Sequence, residues 1–276
     1  MKQNTPAEKS MRPLRHLMQT VSSAKKNTLQ TAGLFLLTAL LPCLMIGFGL
    51  RLPDAAMTAA EKKNRLPIYS VETSKPKAAL TFDAAWEGKE IPRLLNILAE
   101  HRVRATFFIV GSYARKNPRQ VRAIAAAGHE IANHSDCHPH PVNLSSAALI
   151  QDADGCNRQL TDLGVRPTRF YRAPYGEYDS RTVSALEGAG YLPIQWSIDS
   201  LDWKDKPPEW ITDRLVSRTG PGDILLLHTG KENTLIALPD ILTGLERKGI
   251  TLCPVGELLL PVPWETDSAG RQHPAA

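Results

Sequence analysis

The sequence is poor in cysteine, and its four cysteines show no close-paired spacing. Cys43 lies in an apolar stretch, while Cys137, Cys156 and Cys253 are far apart. That excludes a dense disulfide scaffold and a Cys-x-x-Cys zinc ribbon. One bridge among the last three stays open for an oxidising compartment, with its pairing unassigned. No glycine-rich phosphate loop follows the first apolar strand, which argues against a nucleotide-binding fold. No internal repeat is present. Most of the chain also lacks basic excess. The net charge is +5, yet Lys2, Lys9, Arg12, Arg15, Lys25, Lys26 and Arg51 against Glu8 give residues 1–51 a charge of +6, so the remainder carries −1. Nothing in that distribution points to nucleic acid as a partner.

Charge is absent altogether from Asn27 to Leu50, where Leu, Phe, Ile and Met are dense. A helix of that length covers the roughly 30 Å hydrocarbon core of a bilayer. A cleaved signal peptide is the alternative; its apolar region typically runs ~7–15 residues, and the small residues at Ala55–Ala60 keep cleavage open. The expected organisation is a basic cytoplasmic segment at 1–26, a single membrane anchor at 27–50, a linker at 51–76, one domain at 77–261 and a tail at 262–276. Six Lys and Arg ahead of the anchor place the N-terminus in the cytoplasm and the domain outside the membrane. If the segment is cleaved, the domain is secreted.

The domain alternates strands and helices. Apolar, strand-like runs at Ala78–Phe82, Ala105–Val110, Glu130–Ala132, Thr168–Tyr171, Leu192–Ile198, Ile224–Leu227 and Thr251–Leu252 are separated by helical patterns. The helices read as Ile91–Glu100, a segment opened by Asn117-Pro118 and closed by Gly128, Ser145–Leu163, Ser180–Ala189, Pro208–Arg218 and Ala237–Lys248. Six or seven βα units predict a parallel sheet with both faces covered, closed or nearly closed into a barrel. In barrels the chemistry collects at the C-terminal strand ends.

Five polar motifs sit at such ends, in order: Thr81-Phe82-Asp83, His134-Ser135-Asp136-Cys137-His138, Arg172-Ala173-Pro174-Tyr175-Gly176, Asp199-Ser200-Leu201-Asp202-Trp203 and Leu226-Leu227-His228. His134 and His138 are spaced to meet one metal ion, and imidazole suits zinc and other first-row metals; two surface histidines are the plainer alternative. Cys137 between them reads as a bystander. Asp83 is a candidate general base, or else a helix cap. Arg172 can orient that carboxylate, or form an ion pair of structural value only. The turn at Tyr175 can expose an N–H to an oxyanion. His228 is a candidate general acid supported by Asp199, or else a core histidine. Leu226 and Trp203 can wall a small apolar pocket.

These motifs, in this order, resemble the NodB-like polysaccharide deacetylases, carbohydrate esterase family four, over roughly residues 75–260. The resemblance implies a distorted (β/α) barrel of about seven strands and removal of acetyl groups from N-acetylglucosamine or N-acetylmuramic acid in peptidoglycan, chitin or related glycans. It implies Asp83 as base, His134 and His138 as metal ligands, and His228 as acid. Arg172 would orient the base, Asp199 would support His228, the Tyr175 amide would hold the oxyanion, and Leu226 with Trp203 would hold the acetyl methyl. The implied cofactor is a divalent metal, zinc first, with cobalt or nickel as alternatives.

The chain departs from the family pattern at one place. A second aspartate, a metal ligand, usually follows the first; here Asp83 is followed by Ala84, Ala85 and Trp86. The Ala-Ala-Trp version is similar to a bacterial branch associated with cell walls and spores. His140 is the first expectation for a replacement ligand, with Asp136 and Glu87 behind it. A catalytically silent glycan-binding protein and an O-acetyl esterase on cell-wall sugars stand as the alternative functions.

Overall fold

A computed structural model of the chain describes residues 65–86 and 88–275. The expected anchor at 27–50, the basic segment before it and Glu87 lie outside the described residues. Among those described, no helix is long and apolar enough to cross a membrane.

A curled, half-closed barrel of parallel strands forms the centre of the molecule. In sequence the strands are β1 (Ser70–Val71), β2 (Lys77–Ala84), β3 (Thr106–Ile109), β4 (Glu130–Asn133), β5 (Phe170–Tyr171), β6 (Leu192–Pro193), β7 (Ile198–Asp199), β8 (Ile224–His228) and β9 (Thr251–Cys253). In space seven of them run β6-β5-β4-β3-β2-β8-β7, with β9 also on β2. All of these pairings are parallel. The expected (β/α) architecture is therefore present, opened on one side. Every residue of β2 after Lys77 is buried, as a central strand covered on both faces should be.

The helices are α1 (Ile91–Glu100), α2 (Gly111–Lys116), α3 (Pro118–Ala126), α4 (Ser146–Asp162), α5 (Ser180–Gly188), α6 (Pro208–Arg218), α7 (Glu232–Arg247) and α8 (Val255–Leu258). Ser145 caps α4 by accepting from the Ala148 amide, and Asp179 caps α5 from Thr182; each satisfies an orphan amide of a first turn. α7 starts five residues before the sequence suggests and carries Pro239 inside it. Its buried stripe of Leu235, Leu238, Ile241, Leu242 and Leu245 holds it on the sheet despite the proline.

Three expectations change. The run Leu192–Ile198 is not one strand. β6 and β7 lie at opposite ends of the sheet, and residues 194–197 cross the opening between them. The Gln195 amide there donates to Ile68 O, and the Ser197 amide to Ile224 O. The stretch read as linker is part of the fold from residue 65 onward. The amide of Ile68 donates to Pro193 O and that of Val71 to Gly222 O, so this segment bonds to β6 on one side and to the turn before β8 on the other. Burying Ile68 and Val71 is the apolar gain that holds a polar-looking stretch in place. The stretch read as a tail forms a hairpin, β10 (Trp264–Thr266) and β11 (Arg271–Pro274), with β11 parallel to β1.

Candidate active site

Asp83 stands near the C-terminal end of β2 and is directly beside His228 of β8 in the parallel register. Residues two apart on a strand share a face, so Thr81 points the same way as Asp83. Arg172, immediately after β5, reaches both. Its Nη1 donates to Asp83 Oδ1 at 2.7 Å and to Thr81 Oγ1 at 2.8 Å, and its Nη2 donates to Gln195 O at 3.1 Å. The guanidinium is fully buried and lies 3.9 Å from the centre of the Phe108 ring. A planar cation with five donors suits this combined carboxylate, hydroxyl, carbonyl and aromatic setting better than a lysine would. Burial alone would push the Asp83 carboxyl up. The charge of Arg172, with its hydrogen bond and the influence of His228, outweighs that and holds it below its ordinary value.

His134 leaves the end of β4 and is buried. Its Nδ1–H donates to Arg172 O at 2.8 Å. This fixes the tautomer with the Nε2 lone pair free, 3.5 Å from Asp83 Oδ2. The His138 ring lies edge-on at 5.0 Å from that of His134. Burial lowers the pKa of both rings, that of His138 to about 4. Both are neutral near pH 7, the state in which imidazole binds a metal. The loop between them is wound tightly. Ser135 and His138 both have left-handed φ, 73° and 59°, which costs about 1–3 kcal/mol per non-glycine residue and is concentrated at functional sites. Asn133 secures it by accepting from the Ser135 amide and donating to Ala153 O and Asn157 Oδ1. Ser135 Oγ accepts from the His138 amide.

That winding carries His140 away from the other two histidines. Its Nδ1 bonds to the Glu177 carboxylate at 3.0 Å, and its ring stacks on Tyr175 at 4.2 Å and 12°. His140 is therefore not gathered with His134 and His138, contrary to the sequence expectation. Asp136 is likewise committed elsewhere: it accepts from Arg115 Nη1 at 2.6 Å. Its carboxylate fits only because Gly111 has no side chain, as a Cβ there would sit 2.0 Å from Asp136 Oδ1. Among the described residues no group of three His, Cys, Asp or Glu side chains is arranged to hold a metal. Two imidazoles fall short of the three protein donors typical of catalytic zinc. The described donor set does not complete such a site.

His228 closes β8. Its Nδ1–H donates to Asp202 Oδ1 at 2.7 Å, and its amide donates to Asp202 Oδ2 at 2.8 Å. Thr234 Oγ1 donates to the same Oδ2 at 2.7 Å. Asp202 is fully buried. Burial would lower the His228 pKa, but the hydrogen bond and charge of Asp202, with Asp83 and Asp199 adding to them, raise it above the ordinary 6.5. The sequence expectation named Asp199 for this task, and the structure gives it to Asp202. Asp199 is spent on the turn: its Oδ1 accepts from the Leu201 amide at 2.7 Å and its Oδ2 from Trp203 Nε1 at 3.4 Å. An aspartate bonding an amide two residues on is an ordinary turn device, and here it presents Asp202 inward. The motif contains both aspartates; which one faces His228 depends on this turn, which spacing alone does not reveal.

The turn after Arg172 is equally specific. Tyr175 has φ 60°, and Gly176 has φ 68° with the Trp196 ring only 2.8 Å from where a Cβ would stand. His134, His138, Tyr175, Asp199, Trp203, Leu226 and His228 all line one cavity of about 770 Å³. Asp83 and Arg172 are buried beside His134. The cavity also takes in Trp86, which the sequence reading noted only as part of a departure from pattern. The site thus sets a carboxylate whose pKa is lowered beside a histidine whose pKa is raised, the pairing that separates base from acid.

A model of the polysaccharide deacetylase family matches residues 70–194. The chitooligosaccharide deacetylase of Sinorhizobium fredii is 31% identical over a match covering 65% of this chain and 90% of that protein. The peptidoglycan-N-acetylmuramic acid deacetylase of Bacillus subtilis is 28% identical, covering 75% of this chain and 81% of that protein. Among solved structures, a family-four carbohydrate esterase pseudoenzyme from Bacillus anthracis has a TM-score of 0.67 at 31% identity, covering 70% of this chain and 68% of that one; a mutant of it has restored enzymatic activity. With its motifs at the barrel's strand ends and these relatives, the chain belongs to the polysaccharide deacetylases, the NodB-like carbohydrate esterases of family four, a family of hydrolases.

Proposed function

We propose that this protein hydrolyses the N-acetyl group of N-acetylglucosamine or N-acetylmuramic acid in cell-wall polysaccharide such as peptidoglycan. The observation that carries the reading is the Asp83–Arg172 pair set beside the His228–Asp202 pair across neighbouring strands. Asp83 takes a proton from the attacking water, whose oxygen bonds to the acetamide carbon. The C–N bond breaks, His228 gives its proton to the leaving amine, and acetate departs. Arg172 keeps Asp83 ionised and oriented, and Asp202 raises the proton affinity of His228 and fixes its ring. The Tyr175 amide holds the developing oxyanion. Leu226 and Trp203 receive the methyl group. His134 and His138 line the same cavity as two imidazoles. The activities named for the chitooligosaccharide and peptidoglycan deacetylases support the substrate class. The charge-free stretch at 27–50 supports a membrane anchor that holds the domain outside the cell.

Acetate release by the full chain in detergent, from peptidoglycan and N-acetylglucosamine oligomers, tests this. A free amine in the product supports it, and a free hydroxyl shows an O-acetyl esterase instead. A second reading, a silent glycan-binding protein, is favoured by Ala84 in place of the family's second aspartate and by the pseudoenzyme relative. No acetate on any substrate, with glycan binding intact, decides for it.

A further inference from the structure

Trp86 is 55% exposed on the cavity, where Tyr175 and Trp203 are 57% and 46% exposed. Single exposed apolar side chains are ordinary on protein surfaces. Three exposed aromatic rings around one cavity are a concentration that asks for a ligand. Two of these rings already have a companion: Tyr175 is stacked on His140, and Lys204 Nζ lies 4.6 Å from the Trp203 ring centre. Trp86 differs. It meets His228 and His138 only obliquely, with ring centres 5.8 and 6.4 Å apart at 44° and 54°. Among the described residues no ring stacks on it. The indole therefore stands next to both the fifth-motif and the second-motif histidines, on the cavity that they line.

The cavity's size bears on what that group is. At about 770 Å³ it lies within the ~300–1,000 Å³ of pockets that enclose whole ligands, far more than one acetamide fills. A pyranose ring with equatorial substituents presents a face of C–H bonds carrying slight positive charge. An indole presents a negative π face to match. We propose that Trp86 is a sugar-stacking platform, placing the hexopyranose next to His228 and His138 and setting the preference for oligosaccharide over a bare acetamide. The identity of the sugar rests on the deacetylase reading; the stacking does not, because binding is measured apart from turnover.

The test uses the full chain with chitotetraose and with a peptidoglycan tetrasaccharide. The Trp86 indole N–H signal is assigned by its absence from the Trp86→Phe spectrum. The proposal expects this signal to shift on adding at least one glycan. It expects Trp86→Ala to weaken binding of that glycan about tenfold or more and to raise KM similarly, with kcat changed less than threefold. Trp86→Phe should keep most of the affinity. An unmoved indole, or an unchanged Kd and KM in a folded Trp86→Ala protein, overturns it. If the alanine variant does not fold, the indole shift in the native protein and the Phe variant's Kd decide. Glycan binding through Trp86 with no acetate release would sink the deacetylase reading and leave this inference standing. Acetate release with Trp86 indifferent to glycan would do the reverse.

Discussion

The two sides of the site are built to different degrees. On the side of β2, β5 and β8, each charged group has a charged partner at hydrogen-bond distance: Asp83 with Arg172 and His228 with Asp202. Partner charge outweighs burial and moves these groups in useful directions, the carboxyl of Asp83 down and the imidazole of His228 up. On the side of the 134–140 loop, the rings of His134 and His138 have pKa values pushed down by burial. The third histidine of that loop is turned to Glu177. The acid–base pair is therefore complete where the donor set is not. The comparison teaches that two halves of one cavity, joined through the contacts of His134 with Arg172 and Asp83, can be built to different degrees.

The sharpest way to break this contrast is at the acid. His228→Ala should lower acetate release about 10²–10⁴-fold, the usual contribution of a positioned acid or base, with the fold retained by circular dichroism. Next comes the buried pair. Arg172→Met leaves Asp83 charged, buried and unpartnered, so thermal or urea unfolding should show a loss of about 3–5 kcal/mol. Asp202→Asn acts through His228. A histidine whose pKa lies above 6.5 stays protonated as pH rises past that value, and the acid-dependent rate falls only when pH passes the raised value. Removing the Asp202 charge leaves burial to act with less opposition, so the alkaline limb of the pH–rate profile should move to lower pH, with kcat falling more than KM changes. The smallest effect is expected on the other side: His140→Ala should leave the protein's zinc content, read by elemental analysis after dialysis, unchanged. A drop there would mean that the loop rearranges to use His140 and that the two sides are not as different as they stand.

Much of this was legible from residues alone. The helix Ile91–Glu100 follows from Ile91, Leu94 and Leu98 on one face, all buried. The ends of β2, β5 and β8 follow from apolar runs that stop at Asp83, before Arg172 and at His228. What stayed hidden depends on contacts distant in sequence or on backbone turns. Ile68 and Val71 belong to the fold only because an opening between β6 and β8 receives them. The hairpin at Trp264–Pro274 exists because β11 finds β1, with Arg271 paired to Ser70 some two hundred residues earlier. Asp202 rather than Asp199 meets His228 because Leu201 adopts a left-handed φ of 58°. His140 turns away because His138 does the same. In each case the residue type is visible in the sequence, and its direction is not.

The central claim is that the Asp83–His228 pair performs hydrolysis on a site whose described donors number two imidazoles. The most direct measurement is acetate release from peptidoglycan and N-acetylglucosamine oligomers by the wild-type chain and by Asp83→Asn, side by side. The account expects release by the wild type and a loss of at least about 10²-fold in the variant. Equal release by both proteins, or none from the wild type on every substrate, would contradict it.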